Sequence, residues 1–295
     1  MIKKLLTLSS SVAVLMLAAC GGGGGGTAPT PTSTLQAPST TKTYAVNSVA
    51  ASMASEQITN TRMDAAGGGS TINATTDSNG NLASLSFSIL TPTASFTNTY
   101  NSFSALSASQ FNLNAFTQSL QAVNTTPGAN GAIGTLLASV GNTLSYSGYG
   151  VWATNDTGTA GRIGFFSLGN ATSTMPVSGT ATYTGTTFGA ANASGMIYGV
   201  EGTIQLAANF GTGTVTTNIS NIQTQQLGTN TTASLPSMSG TATISGTQYS
   251  GTLSGGSLSG TSTGTFYGPN AAETGGTWKV TGGGVTAIGS YGAKQ

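Results

Sequence analysis

Few residues in this chain could act as nucleophiles or bases. Ser262 lies at the centre of Gly-Thr-Ser-Thr-Gly, residues 260–264, which matches the Gly-x-Ser-x-Gly pattern of serine hydrolases. In those enzymes the serine stands on a turn between a strand and a helix, and a histidine accepts its proton. The sequence contains no histidine. We therefore interpret residues 260–267 as a β-strand and do not predict an acyl-transfer site at Ser262.

The acidic residues are scattered and offer no evident site for acid or metal chemistry. Glu273 follows a turn signal, and a lone carboxylate in a turn more often accepts backbone hydrogen bonds than it acts as an acid catalyst. Asp77, Asn79 and Asn81 alternate as in a calcium loop, but the glutamate expected at the twelfth position is missing. We predict a structural role for Glu273, a hairpin turn at 77–81, no metal site and no cofactor.

The amino terminus has the organisation of a secretory signal. Lys3 and Lys4 precede an uncharged, largely apolar stretch at residues 5–19, which is too short to span a bilayer. The next residue, Cys20, is the only cysteine in the chain. A single thiol cannot form an internal disulfide, so the folded part must rely on packing and sheet hydrogen bonds. We predict that residues 1–19 are a cleaved signal peptide.

The sequence Leu-Ala-Ala-Cys-Gly at 17–21 resembles the lipobox of bacterial lipoproteins. The resemblance implies cleavage before Cys20 and acylation of that cysteine. The alternative is an ordinary signal that is cleaved after Ala19 and leaves a free thiol. One acyl chain binds a membrane only marginally, whereas two or three hold a protein firmly. We therefore predict lipidation at Cys20 and attachment to a membrane through this lipid anchor.

Residues 20–43 have the composition of a flexible tether. An unbroken glycine run at 21–26 is followed by alternating Thr and Pro, and neither composition buries apolar area. A random chain of this length reaches about 25 Å. The glycine run is not a phosphate loop, because no strand precedes it and no helix with a Lys-Ser/Thr pair follows it.

The charge balance excludes a nucleic-acid partner. The chain has 7 Lys and Arg against 6 Asp and Glu, and removal of Lys3 and Lys4 with the signal leaves 7 − 2 = 5 basic residues. A nucleic-acid binder needs a basic stripe to neutralise phosphates. Thr, Ser and Asn must supply solubility instead. So few charges also provide little long-range steering of a charged partner.

Residues 44–141 show a weak β pattern. Two strand-like segments at 70–76 and 82–90 are joined through Asn79-Gly80, a pair that favours a tight turn. At 110–123, five apolar residues follow each other at spacings of two to four, which predicts one short amphipathic helix: Phe111, Leu113, Phe116, Leu120 and Val123.

From residue 144 onward the pattern is that of an antiparallel sandwich or barrel. Short β-prone segments alternate with Gly, Asn or Ser turns every 8 to 15 residues. The predicted strands are 144–153, 162–168, 179–183, 196–207, 213–219, 240–244, 249–253, 260–267, 276–281 and 286–291. Within the first of them, alternation places Tyr146 and Trp152 on one face and Tyr149 on the other, as packing residues rather than a ligand platform.

One segment carries a family resemblance. Residues 266–278, Phe-Tyr-Gly-Pro-Asn-Ala-Ala-Glu-Thr-Gly-Gly-Thr-Trp, resemble the closing signature of the transferrin-binding-protein-B-like β-barrel lipoproteins. We interpret the segment as a strand end, a turn at 268–270, one helical turn at 271–273 and a new strand. The resemblance covers about 142–295, with further support from 179–185, 208–215, 249–255 and 288–295.

The resemblance implies an all-β chain with a C-terminal eight-stranded antiparallel β-barrel. The barrel is assigned to 142–295, and the smaller strand-rich segment before it, 44–141, corresponds to a reduced handle domain. Family members that bind transferrin have two handle-plus-barrel lobes, and this chain has at most one. Transferrin itself is therefore a poor candidate partner.

The function implied by the resemblance is that of a non-catalytic binding module. We expect a monomeric, surface-exposed outer-membrane lipoprotein that captures an iron or haem carrier or another extracellular protein. Direct haem ligation through Tyr or Met stays open, although no residue pair stands out. The alternative is a structural envelope or adhesin-like lipoprotein without a nutrient ligand. An enzyme is the least favoured class, because the sequence lacks histidine and clustered carboxylates.

Overall fold

The computed structural model describes residues 41–55, 57–76, 82–93, 95–100, 104–105, 120–123, 134–137, 144–157, 160–226, 229 and 231–295. The predicted signal peptide, the predicted lipidation site Cys20 and the tether up to residue 40 lie outside these ranges. So do the turn at 77–81 and residues 110–119 of the predicted helix.

The described residues form strands β1 to β19 and one short 3-10 helix, Pro269–Ala271. None of the helical structure in these ranges is long and apolar enough to cross a membrane. The strands before the barrel are β1 Lys42–Ala45, β2 Asn47–Ala54, β3 Gln57–Asp64, β4 Thr71–Thr76, β5 Leu82–Ile89, β6 Phe96–Tyr100, β7 Ser104–Ala105, β8 Leu120–Val123, β9 Gly134–Leu137, β10 Ser147–Thr157 and β11 Ala160–Gly169. Those of the barrel are β12 Thr180–Ala193, β13 Met196–Asn209, β14 Thr214–Gln226, β15 Met238–Ser245, β16 Gln248–Gly255, β17 Leu258–Tyr267, β18 Glu273–Gly282 and β19 Val285–Lys294.

The strands form two open sheets and a closed barrel. The first sheet has the order β1-β4-β5-β6, and the second has the order β3-β2-β11-β10-β9-β8-β7. We call these two sheets together the handle. Strands β12 to β19 pair with their sequence neighbours, and β12 closes the barrel on β19, with Gly189 opposite Gly289. The predicted fold class, an all-β chain with an eight-stranded antiparallel barrel, is confirmed.

The sequence-based assignment of residues 142–295 to the barrel is wrong for strands β10 and β11. They pair with each other and with β9 and β2, so they belong to the seven-stranded sheet of the handle. The barrel strands begin at Thr180. Both faces of β11 are covered, so almost all of its residues are buried. A strand that is buried on both faces has the same apolar sequence pattern in an open sheet and in a barrel, so the sequence did not separate the two.

Two further predictions can be compared with the strands before the barrel. The hairpin strands are confirmed, since β4 pairs with β5 and Ile72 lies opposite Phe87. The helix prediction is wrong over Leu120–Val123, which form β8 between β7 and β9. Apolar spacing over so short a segment is a weak signal, and backbone pairing on both sides of β8 outweighs it.

The handle and the barrel pack as three layers. One face of β2 and β11, with Ala50 and Phe166, belongs to the core shared with the first sheet. The opposite face, with Val49 and Phe165, packs on the outside of the barrel against Phe188. The seven-stranded sheet is therefore the middle layer. We call its contact with the barrel the junction.

The barrel interior is filled by aromatic rings that lie over glycines. Tyr249, Tyr291 and Trp278 are fully buried there. A Cβ at Gly264 would lie 2.3 Å from Cζ of Tyr249, and one at Gly276 would lie 2.5 Å from the Tyr291 hydroxyl. Both positions therefore require glycine, and the interior is a packed core rather than a channel.

Candidate functional site

Ser262, the residue of the hydrolase-like motif, lies in the middle of β17 and is 2% exposed. Its hydroxyl is 3.4 Å from the hydroxyl of Tyr291. A strand interior, with neighbours paired on both sides, is not the strand-to-helix turn that a serine nucleophile requires. The strand predicted at 260–267 is confirmed, and Ser262 is a packing residue of the barrel.

Glu273 joins the barrel to the segment that leads into β10. Its side chain is 3% exposed, and its carboxylate accepts hydrogen bonds from the backbone N–H groups of Ser145 and Tyr146 and from the hydroxyl of Ser147. Burial raises the pKa of this carboxyl group, and the donors oppose that rise. The prediction that Glu273 accepts backbone hydrogen bonds is confirmed, and the contact holds the handle on the barrel.

The aromatic residues near the start of β10 pack in different directions. Tyr149 faces the barrel, with its ring centroid 5.3 Å from that of Phe188, whereas Trp152 faces the first sheet and stacks on Phe96 at 4.3 Å. Their predicted opposition is confirmed. Tyr146 precedes the strand and lies against Gly268 of the barrel, so its predicted place on the face of Trp152 is wrong. Alternation applies only from Ser147, where β10 begins.

A buried amide at the junction connects four segments of the chain. The Asn47 Nδ2 group donates to Ser167 Oγ at 3.1 Å and to Thr265 Oγ1 at 3.0 Å, and it lies 3.4 Å from the Tyr267 hydroxyl. Its Oδ1 atom accepts from the backbone N–H of Ala66 at 3.1 Å. Nothing in the local sequence distinguishes Asn47 from other asparagines, because its partners are distant in the chain.

Beside this amide the junction opens into a cleft of about 430 Å³, which we call the junction cleft. Its handle side is formed by β1, the residues after β3 and the end of β11. Its barrel side is formed by Thr265, Tyr267 and the turn between β15 and β16. The cleft therefore exists only where the handle and the barrel meet.

Lys42 and Asn170 provide the polar groups on the handle side of the cleft. The Lys42 ammonium donates to Asn170 Oδ1 and lies 5.0 Å from the centroid of the Tyr44 ring, a cation–π distance. Burial lowers the pKa of Lys42. On the barrel side, Gln248 Nε2 donates to the Ala66 carbonyl at 2.8 Å. The sequence had placed Lys42 in the flexible tether, whereas it is the first residue of β1.

The described acidic residues do not gather into a metal site. Within the ranges given above, no group of three or more His, Cys, Asp or Glu residues is close enough to hold an ion. Glu201 lies on β13, apart from Glu273 on β18, and its Oε1 atom is buried without a hydrogen-bond partner among the described residues. Burial raises the pKa of Glu201.

One family of known proteins matches the barrel region of this chain. The family described as the C-lobe and N-lobe beta barrels of Tf-binding protein B matches residues 175–295. A search of curated proteins found no match to the sequence.

Several solved structures are similar. A transferrin-binding protein B mutant from Haemophilus parasuis shares 16% identity over 77% of this chain and 53% of its own, with a TM-score of 0.47. The isotype 1 transferrin-binding protein B of Neisseria meningitidis shares 16% identity over 81% of this chain and 60% of its own length, with a TM-score of 0.40. The haemoglobin receptor HpuA of Kingella denitrificans shares 15% identity over 83% of this chain and 86% of its own length, with a TM-score of 0.43.

This chain spans about half the length of the Haemophilus parasuis protein. The family match begins at residue 175, five residues before β12, and ends at the last residue of the chain. It therefore contains all eight strands of the closed barrel and excludes the handle. Residues 175–295 of this chain are therefore similar to the C-lobe and N-lobe β-barrels of transferrin-binding protein B.

Proposed function

We propose that this protein is an outer-membrane lipoprotein that is anchored through Cys20, displays its handle and barrel at the cell surface, and binds an extracellular protein without catalysis. A protein that carries iron or haem is the favoured partner. The observation that carries the proposal is the family match of the whole barrel. A transferrin-binding protein and a haemoglobin receptor are among the structurally similar proteins, and their names support this class of partner.

The surroundings of the reactive side chains support a non-catalytic role. Ser262 and Glu273 are both buried, and their described contacts are with other residues of the fold. A catalytic group must be able to reach a substrate and needs a partner that activates it. The proposal therefore assigns these residues to packing and assigns binding to the exposed surface.

The anchor is tested first. Labelled palmitate should be incorporated into the wild-type protein and not into the Cys20→Ser variant, because the lipobox resemblance implies that Cys20 is the acylated residue. Cells expressing Met196→Asp, which changes an exposed residue of the barrel and leaves the amino terminus intact, serve as the control. Equal labelling of the Cys20→Ser protein would refute lipidation at this residue.

Surface display is tested by protease treatment of intact cells followed by immunoblotting of the barrel. A surface protein should be degraded while a periplasmic marker survives. Protection of the barrel in intact cells, followed by degradation after the outer membrane is opened, would instead favour the structural envelope lipoprotein.

Two exposed apolar residues give a way to locate the partner. Val177 is 88% exposed and precedes β12, whereas Met196 is 44% exposed and begins β13. Because β12 and β13 are antiparallel neighbours, these residues lie at opposite ends of the barrel. Single exposed apolar side chains are common, but a partner that buries one loses affinity when the residue becomes charged.

Immobilised haemoglobin and transferrin are the probes for this test. The wild-type protein should be retained by one of them, and either Val177→Asp or Met196→Asp should weaken retention at least tenfold while the other variant binds normally. The unaffected variant is the matched control for folding and charge. Failure of the wild-type protein to bind either probe would remove iron and haem carriers as the favoured class.

A further inference from the structure

The junction cleft carries a positive charge that is balanced by none of the acidic side chains that the structure describes. Among the residues that the structure describes, no carboxylate contacts Lys42, and none of the described lining residues of the cleft is acidic. The ammonium group is partly buried, and burial lowers its pKa. A partly desolvated cation is unfavourable unless an anion or several acceptors face it.

Two residues that line the cleft, Asn170 and Gln248, carry side-chain amides. Because Lys42 takes the Oδ1 atom of Asn170, the amide is oriented with Nδ2 away from the ammonium group. That Nδ2 atom is buried and has no acceptor among the described residues. Gln248 Nε2 uses one of its two hydrogens on the Ala66 carbonyl. A buried donor without an acceptor is destabilising, so an incoming acceptor would be favoured.

The walls of the cleft are held in place before any ligand arrives. Thr265 and Tyr267 contact the Asn47 amide, and the backbone N–H of Gly268 donates to the Asn170 carbonyl at 2.9 Å. These contacts fix the end of β11 against the barrel. A preorganised cavity of about 430 Å³ is within the size range of small-molecule sites.

We propose that the junction cleft binds an oxyanion, a phosphate or carboxylate group, through the ammonium of Lys42 and the side-chain amides of Asn170 and Gln248. The oxyanion balances the charge of Lys42 and accepts hydrogen bonds from the amides once the Asn170 amide turns its Nδ2 group into the cleft, which exchanges the bond between Lys42 and Asn170 Oδ1 for bonds to the oxyanion. Charge-assisted hydrogen bonds of this kind are among the stronger ones in proteins. This site is independent of the protein partner proposed above, because the exposed residues tested there, Val177 and Met196, do not line the cleft.

The test uses the full-length protein in detergent. Inorganic phosphate and acetate are titrated at constant ionic strength, with chloride as the reference anion, and binding is followed through the side-chain amide resonances of Asn170 and Gln248. We expect a saturable shift with at least one oxyanion and none with chloride. Replacement of Lys42 by Met should weaken binding at least tenfold, whereas Lys279→Met, which removes the same charge from β18 outside the cleft, should leave binding unchanged.

A second variant guards against loss of folding. Asn170→Asp is nearly isosteric and places a carboxylate beside the Lys42 ammonium, so it should fill the role of the anion. Binding should be lost while the thermal midpoint stays equal to or above that of the wild-type protein. Equal responses of the wild-type protein to phosphate, acetate and chloride would overturn the proposal, as would equal weakening by Lys42→Met and Lys279→Met.

The source of the oxyanion is separated by adding vesicles to the same comparison. If the group belongs to a lipid headgroup, vesicles of phosphatidylglycerol should retain the Cys20→Ser protein, which lacks the acyl anchor, and release its Lys42→Met derivative, whereas phosphatidylcholine vesicles should not distinguish them. If it belongs to a soluble molecule, phosphate or acetate should bind and both vesicle types should treat the two proteins alike. If the Lys42→Met change alters neither vesicle binding nor the binding of soluble anions, both sources of the oxyanion are ruled out and the proposal is wrong.

Discussion

The barrel interior and the junction both bury polar groups, but they satisfy them differently. Inside the barrel, the Tyr249 hydroxyl lies 2.9 Å from the Tyr291 hydroxyl and 2.7 Å from Thr274 Oγ1, all on strands of one closed sheet. At the junction, Asn47 donates to Thr265, 218 residues further along the chain. Glu273 accepts from residues that precede it by more than 120 positions.

Because of this difference, we expect changes in the barrel interior and changes at the junction to affect unfolding differently. Closure of the barrel brings the interior hydroxyls together, so their contacts form with the barrel itself. The junction contacts form only after the handle docks on the barrel. A change inside the barrel should therefore lower the stability of the whole protein, whereas a change at the junction should mainly uncouple the handle.

The largest expected effect is alkaline unfolding of the barrel. Burial raises the pKa of Tyr183 and Tyr291 to about 12 and raises that of Tyr249 well above its usual value. The native state thus keeps its phenolic protons where the unfolded chain loses them. The resulting stabilisation is complete below pH 10 and is lost as the pH rises from 10 to about 12, by about 1.4 kcal/mol per pH unit for each phenol.

The measurement is urea unfolding at pH 9, 10 and 11, together with the absorbance of tyrosinate. Tyr249→Phe is the control, because it should reduce the pH slope by the contribution of one phenol. Ionisation of all tyrosines near pH 10 in a protein that remains folded would show that the interior hydroxyls are accessible to solvent.

The next effect tests the fit between glycines and rings in the barrel. In Gly264→Ala the new Cβ would lie 2.3 Å from Cζ of Tyr249 and 2.7 Å from the Tyr291 hydroxyl, so both rings must move. We expect a loss of about 3 kcal/mol in the free energy of unfolding. Gly211→Ala is the matched control, because its nearest neighbour is Asn209 Oδ1 at 3.4 Å. Equal stability of the two variants would contradict the packing described here.

Glycine also explains where sequence-based prediction of the barrel stopped short. The strand predicted at 179–183 is the beginning of β12, which continues to Ala193. The predicted strand ended before Gly185 and Gly189, yet these glycines lie where strands approach closely: a Cβ at Gly185 would be 2.0 Å from the Gly292 carbonyl oxygen. A glycine that permits close approach and a glycine that permits a turn have the same local signal.

The segment 266–278 was predicted more accurately because its signals are local. Tyr267 ends β17 as expected, and the helical turn lies at Pro269–Ala271, two residues before the predicted position. Asn270 and Ala271 both have positive φ, at 53° and 57°, which tightens this turn.

The junction could not be predicted in the same way. Lys42, Asn47 and Asn170 acquire their roles from partners that lie in another layer of the fold. Strand alternation identified the opposite faces of Tyr149 and Trp152, but it gave no indication that β10 belongs to the handle. Only Glu273 gave a useful local signal, because an acid in a turn normally accepts backbone hydrogen bonds.

A smaller effect is expected from removing the charge that holds the junction. In Glu273→Gln one carboxylate oxygen becomes an amide NH2 group, which faces either the Ser145 donor or the donors of Tyr146 and Ser147, while the other oxygen keeps its partners. Buried donors without acceptors are destabilising by about 1–3 kcal/mol, so we expect a loss of about 2 kcal/mol. Hydrogen exchange should show faster opening near 145–147, with the amides of β14 to β16 unchanged. Equally accelerated exchange throughout the barrel would show that the junction and the barrel unfold as one unit.

The smallest effect concerns Glu201. Its Oε1 atom is buried and has no hydrogen-bond partner in the described part of the chain, in contrast to the Glu273 carboxylate, and burial raises the pKa of Glu201. The native state therefore holds a proton above the usual value of 4.5, so the stabilisation is complete below pH 4.5 and is lost as the pH rises through the native pKa. Glu201→Gln should match the wild-type protein at pH 4 and be more stable by less than about 1 kcal/mol at pH 7. Urea unfolding at both pH values measures the difference. If Glu201→Gln is instead less stable at pH 7, as expected for Glu273→Gln, the Glu201 carboxylate must have donors comparable to those of Glu273.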